Sequence, residues 1–214
     1  MKIGILGATG MAGSDLYKEA VKRGHDVTAL VRNKTKAIEM LGKDVKVNDK
    51  CAFCYEKTEL MDFDVIINAF ATEPKKAYLH VDLAARLVHL FREDAKPRLV
   101  FILGAGSLKT GSDDHLLVED LKKIPDAASW IDIPVNALKE LNFLREVDNV
   151  NWVGVSPSAS FIKGENKGFV VGKDHLLVDS KGNSQVTSGA MAAAILDEVE
   201  NPKHIKTRFT VCDK

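Results

Sequence analysis

Short apolar runs alternate along this chain with longer segments in which apolar residues recur at three- and four-residue steps. Six runs, KIGIL, DVTALV, DVKV, DVIIN, RLVFIL and NWVGVS, are rich in β-branched residues, and each adjoins a helical pattern. Strands covered on both faces read as near-continuous apolar stretches, so the alternation predicts a parallel sheet with helices on both sides. The first helix is expected from near Met11, with Leu16, Ala20 and Val21 on its inner side, to a stop at Gly24. A longer one is expected from about Lys75 to Asp94, where Ala77, Val81, Ala84, Val88 and Phe91 are flanked by Leu83, Leu87 and Leu90. So wide a stripe suits a helix pressed between the sheet and other helices, or a contact with a second subunit.

Helical spacing returns between Asn136 and Val147, through Leu138, Leu141 and Leu144, and again after Gln185 in GAMAAAILDEVE. Between them, after Ser156-Pro157, glycines and a DSKGNS turn separate two short β-prone pieces. Residues 157–186 are therefore read as a small irregular lobe over the open end of the sheet. DKCAFCYEKTEL looks helical as well.

A chain of 214 residues supports one well-buried core, so 1–214 is taken as a single domain. With 45% apolar and 28% charged residues the balance is globular. Thirty basic and thirty acidic side chains cancel, which removes the broad positive field that non-specific nucleic-acid or anionic-membrane binding requires. No leader precedes the first strand and no run approaches a membrane span, so a cytoplasmic protein is expected. The partner to look for is a small molecule, with neither nucleic acid nor membrane, and the chain is expected as a monomer or homodimer.

GATGMAG joins the first strand to the first helix. Glycines there let backbone N–H groups and the positive helix end face a phosphate with no Cβ in the way. Any tight turn favours glycine, but this loop lies in a βαβ unit of about 30 residues, the setting of a pyrophosphate cradle. Its spacing is G-x-x-G-x-x-G, and Gly7, Thr9, Gly10, Met11, Ala12 and Gly13 form the expected cradle.

GATGMAG, VRN after the second strand, NAF after the fourth, LGAGSL after the fifth and SPS after the sixth together resemble the atypical short-chain dehydrogenase/reductases. Within them the chain is most similar to the NAD(P)H-binding, NmrA-like group that includes biliverdin-IX-beta/flavin reductases and NADH-flavin reductase-like proteins. The resemblance spans nearly the whole chain, and GAGSL and HLLVDSKGNSQVT are its more specific pieces. It implies a Rossmann-like doubly wound α/β fold, nicotinamide across the strand ends and a substrate pocket under the C-terminal lobe. By the same resemblance Asn33, Asn48 and Asp49 lie near the adenosine. The segment from Asn68 through Ala69 and Phe70 to Ala71 walls it, and Ser156 and Pro157 meet the nicotinamide.

An Asp or Glu about 20 residues past the loop would bind the ribose 2′-hydroxyl of NAD. TALVRNKTK has none; Arg32 stands there with Lys34 and Lys36 behind it. A guanidinium grips a 2′-phosphate, so NADP(H) is preferred over NAD(H), although a solvated basic turn has the same composition. One dinucleotide signature is visible, which makes any flavin a free substrate.

For chemistry, the Tyr-x-x-x-Lys acid of many short-chain dehydrogenases is missing: Tyr17, Tyr55 and Tyr78 all precede the fifth strand. A conjugated acceptor can take hydride without it. Ser107 is the candidate to touch acceptor or carboxamide, unless it is a turn serine bonding its own backbone. His115 is a candidate donor or a solvated loop histidine, and Gly104 and Gly106 permit close backbone approach. Cys51-x-x-Cys54 has no second thiol pair or histidine pair to complete a metal site, so packing or incidental thiols is the reading. Besides an oxidoreductase, an NADP(H)-sensing regulator without turnover fits these features, and a nucleotide-sugar epimerase or dehydratase relative fits less well.

Overall fold

The computed structural model describes all 214 residues. The amino-terminal half runs β1 (Lys2–Leu6), α1 (Met11–Lys22), β2 (Asp26–Val31), α2 (Lys34–Leu41), β3 (Lys46–Asp49), α3 (Lys57–Leu60), β4 (Val65–Asn68), α4 (Leu79–Leu90) and β5 (Arg98–Ile102). After it come a hairpin of β6 (Lys109–Thr110) and β7 (His115–Leu116), then α5 (Leu117–Leu121) and α6 (Asp132–Arg145). The chain finishes with β8 (Trp152–Pro157), β9 (Ser160–Ile162), β10 (Phe169–Gly172), β11 (Gln185–Thr187), α7 (Ser188–Glu200) and β12 (Thr207–Asp213).

Eight strands form the central sheet in the order β10-β12-β8-β5-β4-β1-β2-β3, parallel except for β10, which runs antiparallel to β12. One apolar face packs Leu16, Ala20 and Ala37 with the alanine-rich α7; the other packs Leu60, Leu83, Leu87, Leu141 and Leu144 from α3, α4 and α6. This is the expected Rossmann-like doubly wound sheet. Chain order reverses at β1, which lies between β2 and β4, and ligand crevices open at such switch points beyond the carboxyl ends of the strands.

Several expected elements differ. Val21 is 48% exposed, because α1 rests on α7 and β2 through Leu16, Tyr17 and Ala20, and Val21 points away from that contact. The long helix is shorter than its stripe: Pro74–Lys76 form a separate 3-10 turn before α4. Leu83, Ala84, Leu87 and Val88 are fully covered by the sheet and α6, which accounts for most of the stripe. Helix α6 begins at Asp132, four residues early, since Pro134 is tolerated in a first turn whose N–H groups lack intrahelical acceptors.

The thiol segment is not one helix. Ala52–Cys54 make a 3-10 turn, and Tyr55 is extended, its hydroxyl donating 2.7 Å to the Asn48 carbonyl. Helix α3 then restarts with the Glu56 N–H donating to the Glu59 carboxylate at 3.1 Å.

Nor is 157–186 wholly an irregular lobe. β9 pairs with β11 beside the sheet, while β10 becomes the edge strand of the sheet itself. β10 and β12 lie outside the six apolar runs. In β12 the buried Arg208 and Thr210 alternate with Phe209 and Val211, so polar side chains interrupt the pattern on a face that is nevertheless covered.

Candidate functional site

The loops after β1 and β4 meet at the switch point. Gly7 has a φ of +75°, and a Cβ on it would stand 2.6 Å from the Ala69 carbonyl oxygen. Gly13 lies so close beneath that a Cβ there would be 2.2 Å from the Gly7 carbonyl oxygen. Both therefore hold the turn shut. Gly10 differs: it is exposed, and its Cβ would meet only the Gly7 oxygen, at 3.2 Å. Its missing side chain leaves the mouth of the turn open.

Above it, the N–H groups of Met11, Ala12 and Gly13 reach no acceptor in the protein. Gly10 caps α1 without a side-chain bond, and no acidic residue occupies the first turn. Three unpaired amides at a positive helix end, facing a gap that a side chain would fill, make an anion cradle.

From the cradle a groove of about 760 Å³ runs past the ends of β1, β2 and β4, lined by Gly7, Thr9, Gly10, Arg32, Lys36, Ala69, Phe70 and Ala71 and, opposite, by Lys50, Cys51, Ala52 and Phe53. Its charge is basic. Lys50 is paired with Glu59 and Lys76 with Glu73, whereas Arg32 and Lys36 have no acidic partner. Phe53 sets its edge against Phe70, with ring centroids 6.0 Å apart at 87°, an apolar contact where the two sides of the groove meet.

Other expected residues lie apart from this groove. Asn33 caps α2, its side-chain oxygen accepting from the Lys36 N–H at 2.9 Å. Asn48 and Asp49 close β3 without lining the groove, and the Asn48 carbonyl is taken by Tyr55.

Gly104, Ser107, Ser156 and Pro157 form a second assembly at the ends of β5 and β8. Cβ atoms on Gly104 and Gly106 would come within 2.9 Å of Ala137 and Pro134, so these glycines admit α6 onto the strand end. The buried Ser107 hydroxyl donates to the Gly104 carbonyl, 3.2 Å away.

His115 sits on the β6–β7 hairpin with both ring nitrogens engaged, Nδ1 by Asp113 at 2.6 Å and Nε2 by Asp120 at 2.7 Å. Asp113 first and Asp120 second hold its pKa above the usual imidazole value. It is an anchor of the hairpin with no nitrogen left over for a substrate.

Sequence reasoning missed the residue that organises the second assembly. Arg208 is buried and donates to the hydroxyls of Ser156 at 3.0 Å and Ser107 at 3.2 Å, and to the Asp174 carboxylate at 2.7 Å. Burial pulls its pKa down and Asp174 opposes that shift.

Also missed was Glu140, on α6. It is 1% exposed, neither carboxylate oxygen has a hydrogen-bond partner, and the nearest base, His80 Nδ1, is 4.0 Å away. Burial pushes the Glu140 carboxyl well up and the His80 imidazole down, so both are driven towards the neutral form. His80 in turn packs edge-on against Phe70, its ring centroid 5.5 Å away, directly behind the groove wall.

A family model described as NAD(P)H-binding matches residues 7–202. The chain belongs to that NAD(P)H-binding family. Among its relatives, the uncharacterized protein YwnB of Bacillus subtilis is 37% identical over 99% of this chain and 98% of its own length. A Lactobacillus casei protein of known structure is 40% identical, covers 100% of this chain and 99% of its own, and superposes with a TM-score of 0.93. A Streptococcus pneumoniae protein described as a proposed NADH-flavin reductase is 31% identical across 100% of both chains, with a TM-score of 0.89.

The residues of this NAD(P)H-binding protein fit that coenzyme class. The three unpaired amides and the open Gly10 suit a pyrophosphate, and Arg32 and Lys36 suit further negative charge at the end of β2. No helix of the chain is long and apolar enough to cross a membrane.

Proposed function

We propose that this protein is an NADPH-dependent oxidoreductase that reduces a planar conjugated acceptor of the flavin or quinone type. The observation that carries the reading is the groove itself: an unpaired amide cradle at one point and an acid-free, Arg32-bearing strand end beside it. The proposed NADH-flavin reductase of Streptococcus pneumoniae, similar over its full length, supports the choice of acceptor. Bound in the groove, the reduced nicotinamide would supply a hydride.

The chain's own part is binding, orientation and exclusion of water. Amides at the start of α1 hold the diphosphate, and Arg32 takes the adenosine end. Phe53 and Phe70 dry one wall. At the ends of β5 and β8 the Ser107 and Ser156 hydroxyls are fixed by Arg208, and His115 is fixed by two aspartates. His115 has both ring nitrogens engaged and no tyrosine follows the fifth strand, which favours an acceptor that draws its proton from water, as a flavin or quinone does.

Steady-state oxidation of NADPH in the presence of FMN, FAD, menadione and dichlorophenolindophenol tests this. Turnover with at least one acceptor, and a lower KM for NADPH than for NADH, is expected. Tight coenzyme binding with no turnover on any of them would replace this reading with that of an NADP(H)-sensing regulator.

A further inference from the structure

The Cys51-x-x-Cys54 pair has no part in the function proposed above, yet Cys51 lines the groove and Cys54 ends the turn that follows it. Cys51 immediately precedes the 3-10 turn Ala52–Cys54, and the Cys54 N–H donates 2.8 Å to the Cys51 carbonyl. A turn closed by such a bond brings its end Cα atoms within about 7 Å, the upper limit of the roughly 4.4–6.8 Å that a disulfide spans. The proximity of Cys51 is the main reason the Cys54 pKa is raised. Both residues are exposed, while the third cysteine, Cys212, is buried. No cluster of three or more His, Cys, Asp or Glu residues accompanies them, so the pair lacks the further ligands of a metal site.

What lies between and beside the two sulfurs matters as much. Cys51, Ala52 and Phe53 line the groove, and Phe53 rests on Phe70 of the opposite loop. Joining the two sulfurs by a covalent bond of about 2.05 Å tightens the turn, and Ala52 and Phe53 are the two residues inside the ring that it closes. A change at the sulfurs is thereby transmitted to the wall.

We propose that Cys51 and Cys54 form an oxidisable dithiol in the groove wall, which a hydroperoxide converts to a disulfide that weakens dinucleotide binding. The coupling rests on the groove's being the dinucleotide site. The Cys51 thiolate attacks one peroxide oxygen, the O–O bond breaks, and the departing oxygen leaves as water or alcohol, giving a sulfenic acid on Cys51. The Cys54 sulfur then attacks the Cys51 sulfur, the S–O bond breaks, and hydroxide leaves with the Cys54 proton as water. Two thiols lose two electrons in all and one peroxide gains them; a dithiol reductant reverses the change. By linkage, a dinucleotide that prefers the reduced wall also protects the pair from oxidation by the same factor.

The test combines mass spectrometry with calorimetric titration by NADPH, on protein treated with hydrogen peroxide, on untreated protein, and on treated protein after dithiothreitol. Expected are a loss of about 2 Da in a cross-linked 51–54 peptide and a roughly tenfold rise in Kd that dithiothreitol reverses. Cys51→Ser and Cys54→Ser should each abolish the cross-link, and the double variant should have a Kd indifferent to peroxide. A tight-binding protein that forms no cross-link, or whose Kd is the same within twofold when cross-linked, overturns this proposal alone. Reduced protein that binds neither coenzyme overturns the groove assignment and, with it, the coupling.

Discussion

Arg208 on β12 donates through Nη1 to the hydroxyl of Ser156 on β8, 3.0 Å away, and by the same nitrogen to Ser107 beyond β5. One buried guanidinium therefore ties together three strand ends, and its second nitrogen reaches out to Asp174 in the segment after β10.

Removing that guanidinium leaves two buried hydroxyls short of a donor and Asp174 without its closest cation. Arg208→Met is expected to lose about 2–3 kcal/mol in urea unfolding. Arg208→Lys should recover less than half of this, because a single ammonium cannot reach two serines and a carboxylate at once. Full recovery by lysine would show that charge alone matters there.

At the end of β2, Arg32 is exposed and unpaired. Arg32→Glu is expected to raise the Kd for NADPH at least tenfold, about 1.4 kcal/mol, and to leave NADH binding the same or tighter. Isothermal titration with both coenzymes decides it, and an unchanged ratio of the two constants removes Arg32 from the site.

The glycines of the loop should separate by role. Gly13→Ala places a Cβ 2.2 Å from backbone oxygen and is expected to cost more than about 3 kcal/mol of stability or to prevent folding. Gly10→Ala meets only one oxygen at 3.2 Å, so its melting temperature should stay near that of the parent while coenzyme affinity falls about tenfold. Equal affinity in Gly10→Ala would mean that no ligand approaches that backbone.

Glu140 makes stability depend on pH. Burial raises its carboxyl well above the ordinary value of 4.5 in the folded chain, so between that value and the raised one the unfolded chain binds fewer protons and stability falls as pH rises. His80 acts at the acid end: its pKa is lowered by burial, so below about 6.5 the unfolded chain binds more protons and stability falls as pH drops. Glu140→Met should raise stability at pH 8 by about 1–3 kcal/mol and flatten the alkaline slope, leaving the acid limb in place. Urea midpoints measured from pH 5 to 9 provide the check; a parallel curve would show that the folded protein carries Glu140 ionised.

The six strands, the cradle and the basic end of β2 were legible in the residues because each is a local property. Alternation of apolar runs, a glycine between strand and helix, and the absence of an acid near Arg32 all fall within one βαβ unit, where neighbouring residues determine the geometry. His115 and Ser107 were legible as chemistry but not as roles. Whether a ring nitrogen or a hydroxyl is free depends on partners the pattern does not name: Asp113 and Asp120 for the first, and an arginine 101 residues away for the second.

By itself the sequence determined a doubly wound parallel sheet with a glycine turn between its first strand and first helix. Only the tertiary structure decided that Arg208 belongs to a covered strand, that Glu140 and His80 face each other behind Phe70, and that the exposed Cys51 lines the groove one turn before the exposed Cys54. Those relations are set by which strands and helices come to lie side by side. Burial and pairing between distant segments follow from that placement, and no window of neighbouring residues contains it.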